Sequence, residues 1–298
     1  MRTTTSMTSA RVTTAGTEGW ISGMIGVIIF SGSLPATRLA IAGFSPLFLT
    51  SARAVIAAVL GMVLFAAIRQ PWPARRDLAS LAIVAFGVVI GFPLLSALAL
   101  QHISSAHSIV FMGLLPPTTA LFGVLRGGER PRPAFWLFSG IGALSVMVFA
   151  LSRGGDGSVV GDLLIVAAII VCGLGYAEGA ALSRRLGGWQ VICWALLLTL
   201  PVTAGLALAT RPAQWTGIGA PAWLGLAYVS LFSMLIGFVF WYRGLALGGI
   251  ARVGQLQLLQ PFFGLTLAGL LLGEPISPTM IAATGLVVLC VAGAKRFG

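Results

Sequence analysis

Charged residues are scarce in this chain of 298 amino acids, and Asp, Glu, Lys and Arg together make up only 8% of it. A soluble domain carries about 25% charged residues because its surface must face water. Hydrophobic residues account for 58% of the chain, and the mean hydropathy is +1.01. The low charge excludes a water-soluble fold and predicts a protein whose partner is the lipid bilayer.

Cysteine, histidine and carboxylate clusters are also missing. The three cysteines (Cys172, Cys193 and Cys290) all lie in apolar segments, without CxxC or Cys/His spacing. This pattern excludes a disulfide framework and a metal site, and we expect no metal and no cofactor. The sequence holds no P-loop, which argues against an ATP-driven pump.

The net charge of +11 raises the question of nucleic-acid binding. The basic residues, however, stand singly or in pairs between apolar stretches and form no aromatic-interleaved patch on a polar domain, so no nucleic-acid partner is expected. Their distribution follows the rule that Lys and Arg remain on the cytoplasmic side of a membrane. Most of them fall on the side that also holds the N-terminus, which predicts two cytoplasmic termini in the cytoplasmic (inner) membrane of a bacterium.

Apolar runs of spanning length fill the chain after a polar, Thr-rich start. A membrane helix needs about 20 mostly apolar residues. We interpret residues 1–19 as a disordered cytoplasmic tail, and we predict an all-α integral membrane protein of ten transmembrane helices. The predicted helices run over about 20–39, 46–68, 78–100, 104–125, 134–151, 161–182, 189–209, 221–242, 252–272 and 278–294.

The chain repeats itself in two halves, 20–151 and 161–294. At one constant offset Pro116 matches Pro261, and Glu129 matches Glu274. A period this long indicates a duplicated domain, here of five helices. Because the number of helices per copy is odd, the second copy must be inverted in the membrane. Inverted repeats are typical of alternating-access transporters.

These features together resemble those of a known family. A Pro-bearing helix ends in Leu-x-Gly-Glu at Glu274, and the second predicted helix carries Ser51-Ala52-Arg53. Together with the five-helix halves, these motifs resemble those of the EamA family of the drug/metabolite transporter superfamily. Within that family, the chain is similar to the YddG-type exporters of aromatic amino acids. The resemblance implies export, and a cavity lined by helices 1, 3 and 4 with their mates 6, 8 and 9. The second half departs from this pattern, because it has Trp194 near the position that matches Arg53.

Three predicted helices are interrupted by proline, near Ser33, at Pro116 and at Gln260-Pro261. Proline frees a backbone carbonyl that a neighbour, water or a substrate must satisfy. These breaks predict substrate-binding positions at Ser33 and Pro116. The alternative is a fixed packing kink.

Polar groups inside the spans are a sharper signal, because lipid cannot solvate them. Gln257 and Gln260 share one helix face and predict amide contacts with substrate, although helix-to-helix hydrogen bonding is an alternative. His107, with Phe111 one turn deeper, is a second candidate that could bind substrate, titrate or lie in contact with water.

Aromatic residues supply further candidates for the cavity wall. Tyr176, Tyr228 and Phe232 lie within predicted spans and could stack on a flat substrate or hold a cation. The alternative is anchoring at the membrane interface, where Trp and Tyr concentrate.

Glu178 is a carboxylate well inside a predicted span, where it must be paired or face water. We predict a structural ion pair with Arg184 or Arg252 that closes the inner gate. Recognition of a substrate ammonium is the alternative. Arg53 is predicted as a structural anchor rather than a ligand.

The sequence therefore favours a monomeric secondary transporter that exports small organic metabolites, with amino acids, aromatic ones included, as substrates. Protons or an exchanged solute are the candidate coupling partners. The alternatives are an exporter of organic cations or drugs and an integral-membrane enzyme that modifies lipid. The enzyme would need clustered His, Asp or Glu at a membrane face, and the chain is not expected to be an enzyme.

Overall fold

The structure, a computed structural model, describes residues 4–127, 133–152, 158–248 and 253–297, and all regular elements over these ranges are helical. We label the helices in chain order. They are α1 (Thr4–Ser31, continued by Ser33–Ala40), α2 (Pro46–Ile68), α3 (Arg75–Ala99), α4 (Ser105–Arg126), α5 (Pro133–Ser152), α6 (Val159–Leu186), α7 (Gly188–Ala209), α8 (Ala220–Gly248), α9 (Gly254–Leu259, continued by Gln260–Leu272) and α10 (Pro278–Phe297).

Seven of the described helices are long and apolar enough to cross a membrane, namely α1 from Thr17, α2, α3, α4, α6, α7 and α8. Leu256–Leu272 and Pro278–Cys290 are apolar but shorter. The all-helical membrane fold agrees with the sequence, and the observed bounds of α2 coincide with the predicted 46–68. The full number of ten crossings stays a prediction.

The first helix begins earlier than the sequence indicated. Residues from Thr4 onward are helical, whereas the sequence predicts a tail up to residue 19. The part long and apolar enough to span a membrane starts at Thr17, close to the predicted start.

Helix ends follow local sequence signals. The Ser45 hydroxyl accepts a hydrogen bond from the N–H of Phe48, and Pro46 fills the first turn of α2, where its missing N–H costs nothing. Gly273 ends α9 in the left-handed conformation, with φ of 63°. Gly32 separates the two parts of α1.

The helices depart from α geometry at corresponding places in the two halves of the chain. A π-helical turn occupies Ala85–Gly91 in α3 and another occupies Val229–Ile236 in α8. A 3-10 turn lies at Met112–Leu114 in α4 and another at Gly254–Leu259 in α9. Each 3-10 turn precedes a helix of 13 residues that carries proline in its first turn. Local departures from α-helical geometry therefore recur with the sequence repeat.

Two contacts show how the halves interlock. The Ser22 hydroxyl donates to the carbonyl of Phe240 at 2.8 Å, and the Tyr228 hydroxyl donates to that of Ile29 at 2.8 Å, so α1 and α8 run antiparallel. The pair α3 and α6 is packed in the same way, with Asp77 near Arg185 and Gly87 near Gly175.

Corresponding helices of the two halves also contact each other. Gly264 of α9 packs on Ile109 of α4, whereas Glu274, after α9, contacts the start of α4 at Ser105. The helices α5 and α10 are arranged in the same way. Gly142 of α5 lies beside Cys290 of α10, and the earlier residue Phe138 lies beside the later residue Gly293. The mates α4 and α9, and α5 and α10, are therefore antiparallel.

Candidate functional site

A small cavity lies between the two halves, beside the turns where the helices depart from α geometry. Its volume is about 20 Å³, which is room for about one water molecule. The side chains therefore leave little free space between the halves. The cavity is lined by Phe30, Ser33, Leu34, Arg53, Val88, Phe92, Pro93, Met112, Cys172, Tyr176, Ser233, Phe238 and Gln260.

A hydrogen-bonded chain of three side chains crosses this cavity. The hydroxyls of Ser33 and Ser233 lie 2.8 Å apart, and Nη2 of Arg53 donates to the Ser233 hydroxyl at 3.1 Å. Ser33 follows the break in α1, and Ser233 lies in the π-helical turn of α8. The chain thus connects α1 and α2 with α8, across the boundary between the halves.

Aromatic rings form one wall of the cavity. The ring of Phe30 lies edge-on to Phe238, with centroids 4.9 Å apart, and is stacked with Tyr176 at 6.3 Å. Tyr176 and Phe238 contact edge to face at 5.9 Å. The sequence predicted Tyr176 at this site. Such a wall can hold a flat apolar group or place a cation over a ring face.

The two glutamines of α9 have different surroundings. Gln260 lines the cavity. Gln257 is buried, with 2% of its surface exposed, and over the described residues its Nε2 has no hydrogen-bond partner. The turn Gly254–Leu259 before Gln260 is a 3-10 turn, in which side chains three residues apart are eclipsed. Gln257 and Gln260 therefore lie on the same face of α9.

Two predicted aromatic residues are not in the cavity lining. Tyr228 uses its hydroxyl to bind the carbonyl of Ile29, next to the break in α1. Phe232 stacks on Tyr228, with centroids 5.4 Å apart, and is 43% exposed at the surface of the bundle. Tyr228 thus covers the break in α1, whereas Phe232 faces away from the interior of the bundle.

Proline at position 116 is half-buried in the first turn of the second part of α4 and does not line the cavity. The preceding 3-10 turn places Met112 there instead.

At the end of the bundle where α1 begins, Glu178 is paired with a different arginine from the one predicted. Its Oε2 accepts a hydrogen bond from Nε of Arg126 of α4 at 2.9 Å. Arg184 is exposed, because six residues along an α-helix turn a side chain to another face. Arg252 lies outside the described residues. A second pair joins Arg185 to Asp77 at 2.8 Å.

At the opposite end, His107 is buried and its Nε2 lies 2.7 Å from Oδ1 of Asp162. The ring of Phe111 follows one turn deeper, with centroids 5.5 Å apart. A polar recess of about 320 Å³ opens beside His107, with Arg38 and His102 among its walls.

The same end of the bundle is held by Glu274. Its carboxylate accepts hydrogen bonds from the backbone N–H groups of Ser105 and Ala106, at 3.1 and 2.7 Å, and from the Ser105 hydroxyl at 2.8 Å. A carboxylate at the start of α4 also complements the helix dipole. The Leu-x-Gly-Glu ending of α9 thus stabilises the start of its mate.

The sequence argument missed Ser233, Phe238 and Met112 as cavity residues. The repeat could have indicated Phe238, because it matches Phe92, which also lines the cavity. A serine in an apolar helix and a methionine carry no comparable signal.

Comparison with known proteins places this architecture in a family. The EamA-like transporter family matches residues 17–151 and again residues 159–294. The chain is 66% identical over 281 residues to the uncharacterized transporter YdeK of Bacillus subtilis (strain 168), with 94% of this chain and 98% of that protein covered.

More distant relatives carry functional names. A probable terminal-alkyne amino-acid exporter of Streptantibioticus cattleyicolor is 23% identical, covering 87% of each chain. An S-adenosylmethionine/S-adenosylhomocysteine transporter of Chlamydia trachomatis serovar L2 is 24% identical, covering 89% of this chain and 85% of its own.

A solved crystal structure with 19% sequence identity aligns over 94% of this chain and 99% of its own, with a TM-score of 0.67, which shows a shared fold. The two family matches together cover nearly the whole chain. The protein belongs to the EamA-like transporter family.

Proposed function

We propose that this transporter exports small organic metabolites, with amino acids and in particular aromatic ones as substrates, by alternating access across the cytoplasmic membrane of a bacterium. The observation that carries the proposal is the small cavity between the halves, with a polar chain at Ser33, Ser233 and Arg53 beside an aromatic wall. A cavity with few polar groups and an apolar wall is typical of a small-molecule site.

An inverted repeat of five helices is part of the proposal, with ten crossings and both termini in the cytoplasm. It is supported by the double match to the family, by the antiparallel contacts of the mates α4 and α9, and by the recurrence of the π-helical and 3-10 turns. In many transporters the substrate site is formed by helices that are interrupted in this way in both repeats.

Alternating access requires each end of the bundle to open separately. The end at α1 is closed by Arg126 and Glu178, and the opposite end by His107 and Asp162. Both pairs join α4 to α6, so a tilt of α6 against α4 can break one pair while the other holds. The two pairs are thus proposed as gating groups at the two ends of the bundle.

Amino acids are favoured as substrates for a chemical reason. The two named distant relatives move an amino acid and S-adenosylmethionine or S-adenosylhomocysteine, and all of these compounds carry an α-amino acid group. In this chain the amide of Gln260 and the aromatic faces can accept an ammonium group.

Reconstitution of the purified protein in liposomes tests the proposal. Labelled phenylalanine, tyrosine, tryptophan, S-adenosylmethionine and a set of organic cations are offered with and without a pH gradient, and with and without unlabelled amino acid on the opposite side. We expect saturable flux of amino acids above that of protein-free liposomes. Flux of organic cations alone would contradict the amino-acid proposal, and flux of no compound would contradict the function.

A further inference from the structure

Arg53 is unusual among the groups around the cavity. Among the described residues of the lining, it supplies the positive charge and no Asp or Glu is present. Only 4% of its surface is exposed. A buried charge is costly unless it is paired and hydrogen-bonded, so the surroundings of this guanidinium decide its role.

The hydrogen bonds of Arg53 are incomplete. A guanidinium has five N–H donors in a fixed fork. Nη2 donates to the hydroxyl of Ser233, and over the described residues Nε is buried without a hydrogen-bond partner. A serine hydroxyl carries no charge, so the contact positions the guanidinium without neutralising it. A purely structural anchor would be expected to reach a carboxylate or several carbonyls.

We infer that Arg53 binds the carboxylate of the transported substrate, with the hydroxyls of Ser33 and Ser233 as neighbouring donors. The inference rests on the proposed function and names its substrate class: compounds with one carboxylate attached to an apolar or aromatic body. Arginine pairs with a carboxylate through two parallel hydrogen bonds, which gives both affinity and orientation.

The rest of the cavity fits the other end of such a substrate. The rings of Phe30, Tyr176 and Phe238 offer an apolar wall next to the polar chain. Gln260 adds a neutral amide to the same lining. A substrate ammonium therefore meets neutral acceptors and ring faces, whereas its carboxylate meets the cation.

The cation is present in one half only. The mate helix α7 (Gly188–Ala209) carries no Lys or Arg, and Trp194, near the position that matches Arg53, packs on Phe65 and Trp72, with ring centroids 4.4 and 5.1 Å apart. The site thus has a single anchor for a carboxylate, which favours monocarboxylates over dicarboxylates. Because the cavity holds only about 20 Å³, substrate must enter after one end of the bundle has opened.

Ligand-induced stabilisation of the purified protein in detergent tests the site without transport. The probes are L-phenylalanine and 3-phenylpropionate, which carry the carboxylate, and phenethylamine and phenylalaninamide, which do not. We expect the two carboxylates to raise the midpoint of thermal unfolding of the wild type in a saturable manner, and the two amines to leave it unchanged.

Variants separate recognition from folding. Arg53→Gln should abolish the stabilisation by carboxylates, and Arg53→Lys, which keeps the charge but not the fork, should weaken apparent affinity by about tenfold or more. Ser233→Ala removes the positioning hydroxyl and should weaken affinity while the protein remains folded. Arg76→Gln, which removes an exposed charge at the start of α3, is the matched control and should bind like the wild type.

The outcomes distinguish this site from the proposed transport. Stabilisation by carboxylates that Arg53→Gln abolishes supports the site, even if liposome flux were absent and the proposed function failed. Equal stabilisation by phenethylamine and 3-phenylpropionate overturns the proposed site. The site is also overturned if Arg53→Lys and Ser233→Ala are both folded and both bind carboxylates with wild-type affinity. Absence of any shift with either carboxylate overturns it as well, whatever the flux.

Discussion

The buried imidazole of His107, in the first turn of α4, lies 2.7 Å from the carboxylate of Asp162 in the first turn of α6. The Ser104 hydroxyl accepts from the backbone N–H of His107 and so fixes the start of α4. The pair joins the two helices at one end of the bundle, and at the other end Arg126 and Glu178 join the same helices. Each pair is accordingly suited to testing closure of a single end.

Breaking the first pair should destabilise the protein. His107→Gln and Asp162→Asn each remove one partner of a largely buried contact, for which we expect a loss of about 1–3 kcal/mol in the free energy of unfolding. The double variant should lose less than the sum of the single losses. Reversible unfolding in mixed micelles, arranged as a double-mutant cycle, measures the coupling. Full additivity would show that the two side chains do not interact.

The second pair should respond unequally to removal of its partners. The Glu178 side chain is 9% exposed and that of Arg126 48%. Arg126→Gln removes the ion-pair partner of a largely buried carboxylate and should cost about 1–3 kcal/mol. Glu178→Gln leaves a solvated arginine and should cost under about 1 kcal/mol.

Arg184→Gln is the control for this pair, because Arg184 is exposed on α6 and was the partner that the sequence suggested. We expect it to unfold like the wild type under the same conditions. A larger loss for Arg184→Gln than for Arg126→Gln would restore the original pairing.

Much of the fold could be predicted because its signals are local. Apolar runs give the spans, and Ser45 with Pro46 gives the start of α2. Pro261 marks the start of the second part of α9, and Gln260 beside it lines the cavity. The repeat of such features resembles the EamA family, and the match of the family to both halves confirms the resemblance.

The remaining parts of the site depend on contacts between distant segments. Glu178 could be recognised as needing a partner, but nothing in its own helix points to Arg126, 52 positions away. The π-helical turn Val229–Ile236 adds a residue to one turn and changes which side chains face inward. Ser233 lies at the cavity, whereas the neighbouring Phe232 is exposed.

Close packing of α3 on α6 predicts a sharp effect at Gly87. A methyl group there would lie 2.5 Å from the carbonyl oxygen of Val171 and 2.8 Å from the Cα of Gly175, and backbone cannot rotate away. Gly87→Ala should therefore cost about 1–3 kcal/mol, since the helices must separate.

Gly285→Ala is the matched control, because a methyl group on that helical glycine has no neighbour within 4 Å in the described part of the chain. It should leave the free energy of unfolding unchanged or raise it slightly, as alanine favours helix. Equal losses for the two variants would show that helix spacing is not responsible.

The carboxylate of Glu274 should matter through the start of α4. Glu274→Gln keeps one acceptor but removes the charge that faces the N–H groups of Ser105 and Ala106, and we expect a loss of about 1–2 kcal/mol. Ser105→Ala removes only the hydroxyl contact and should cost less.

Hydrogen exchange at residues 105–108 gives a local readout, because loss of the cap allows the first turn to open. Since His107 lies in that turn, Glu274→Gln should also reduce its coupling energy with Asp162. Unchanged exchange and unchanged coupling would show that α4 is held by its packing alone.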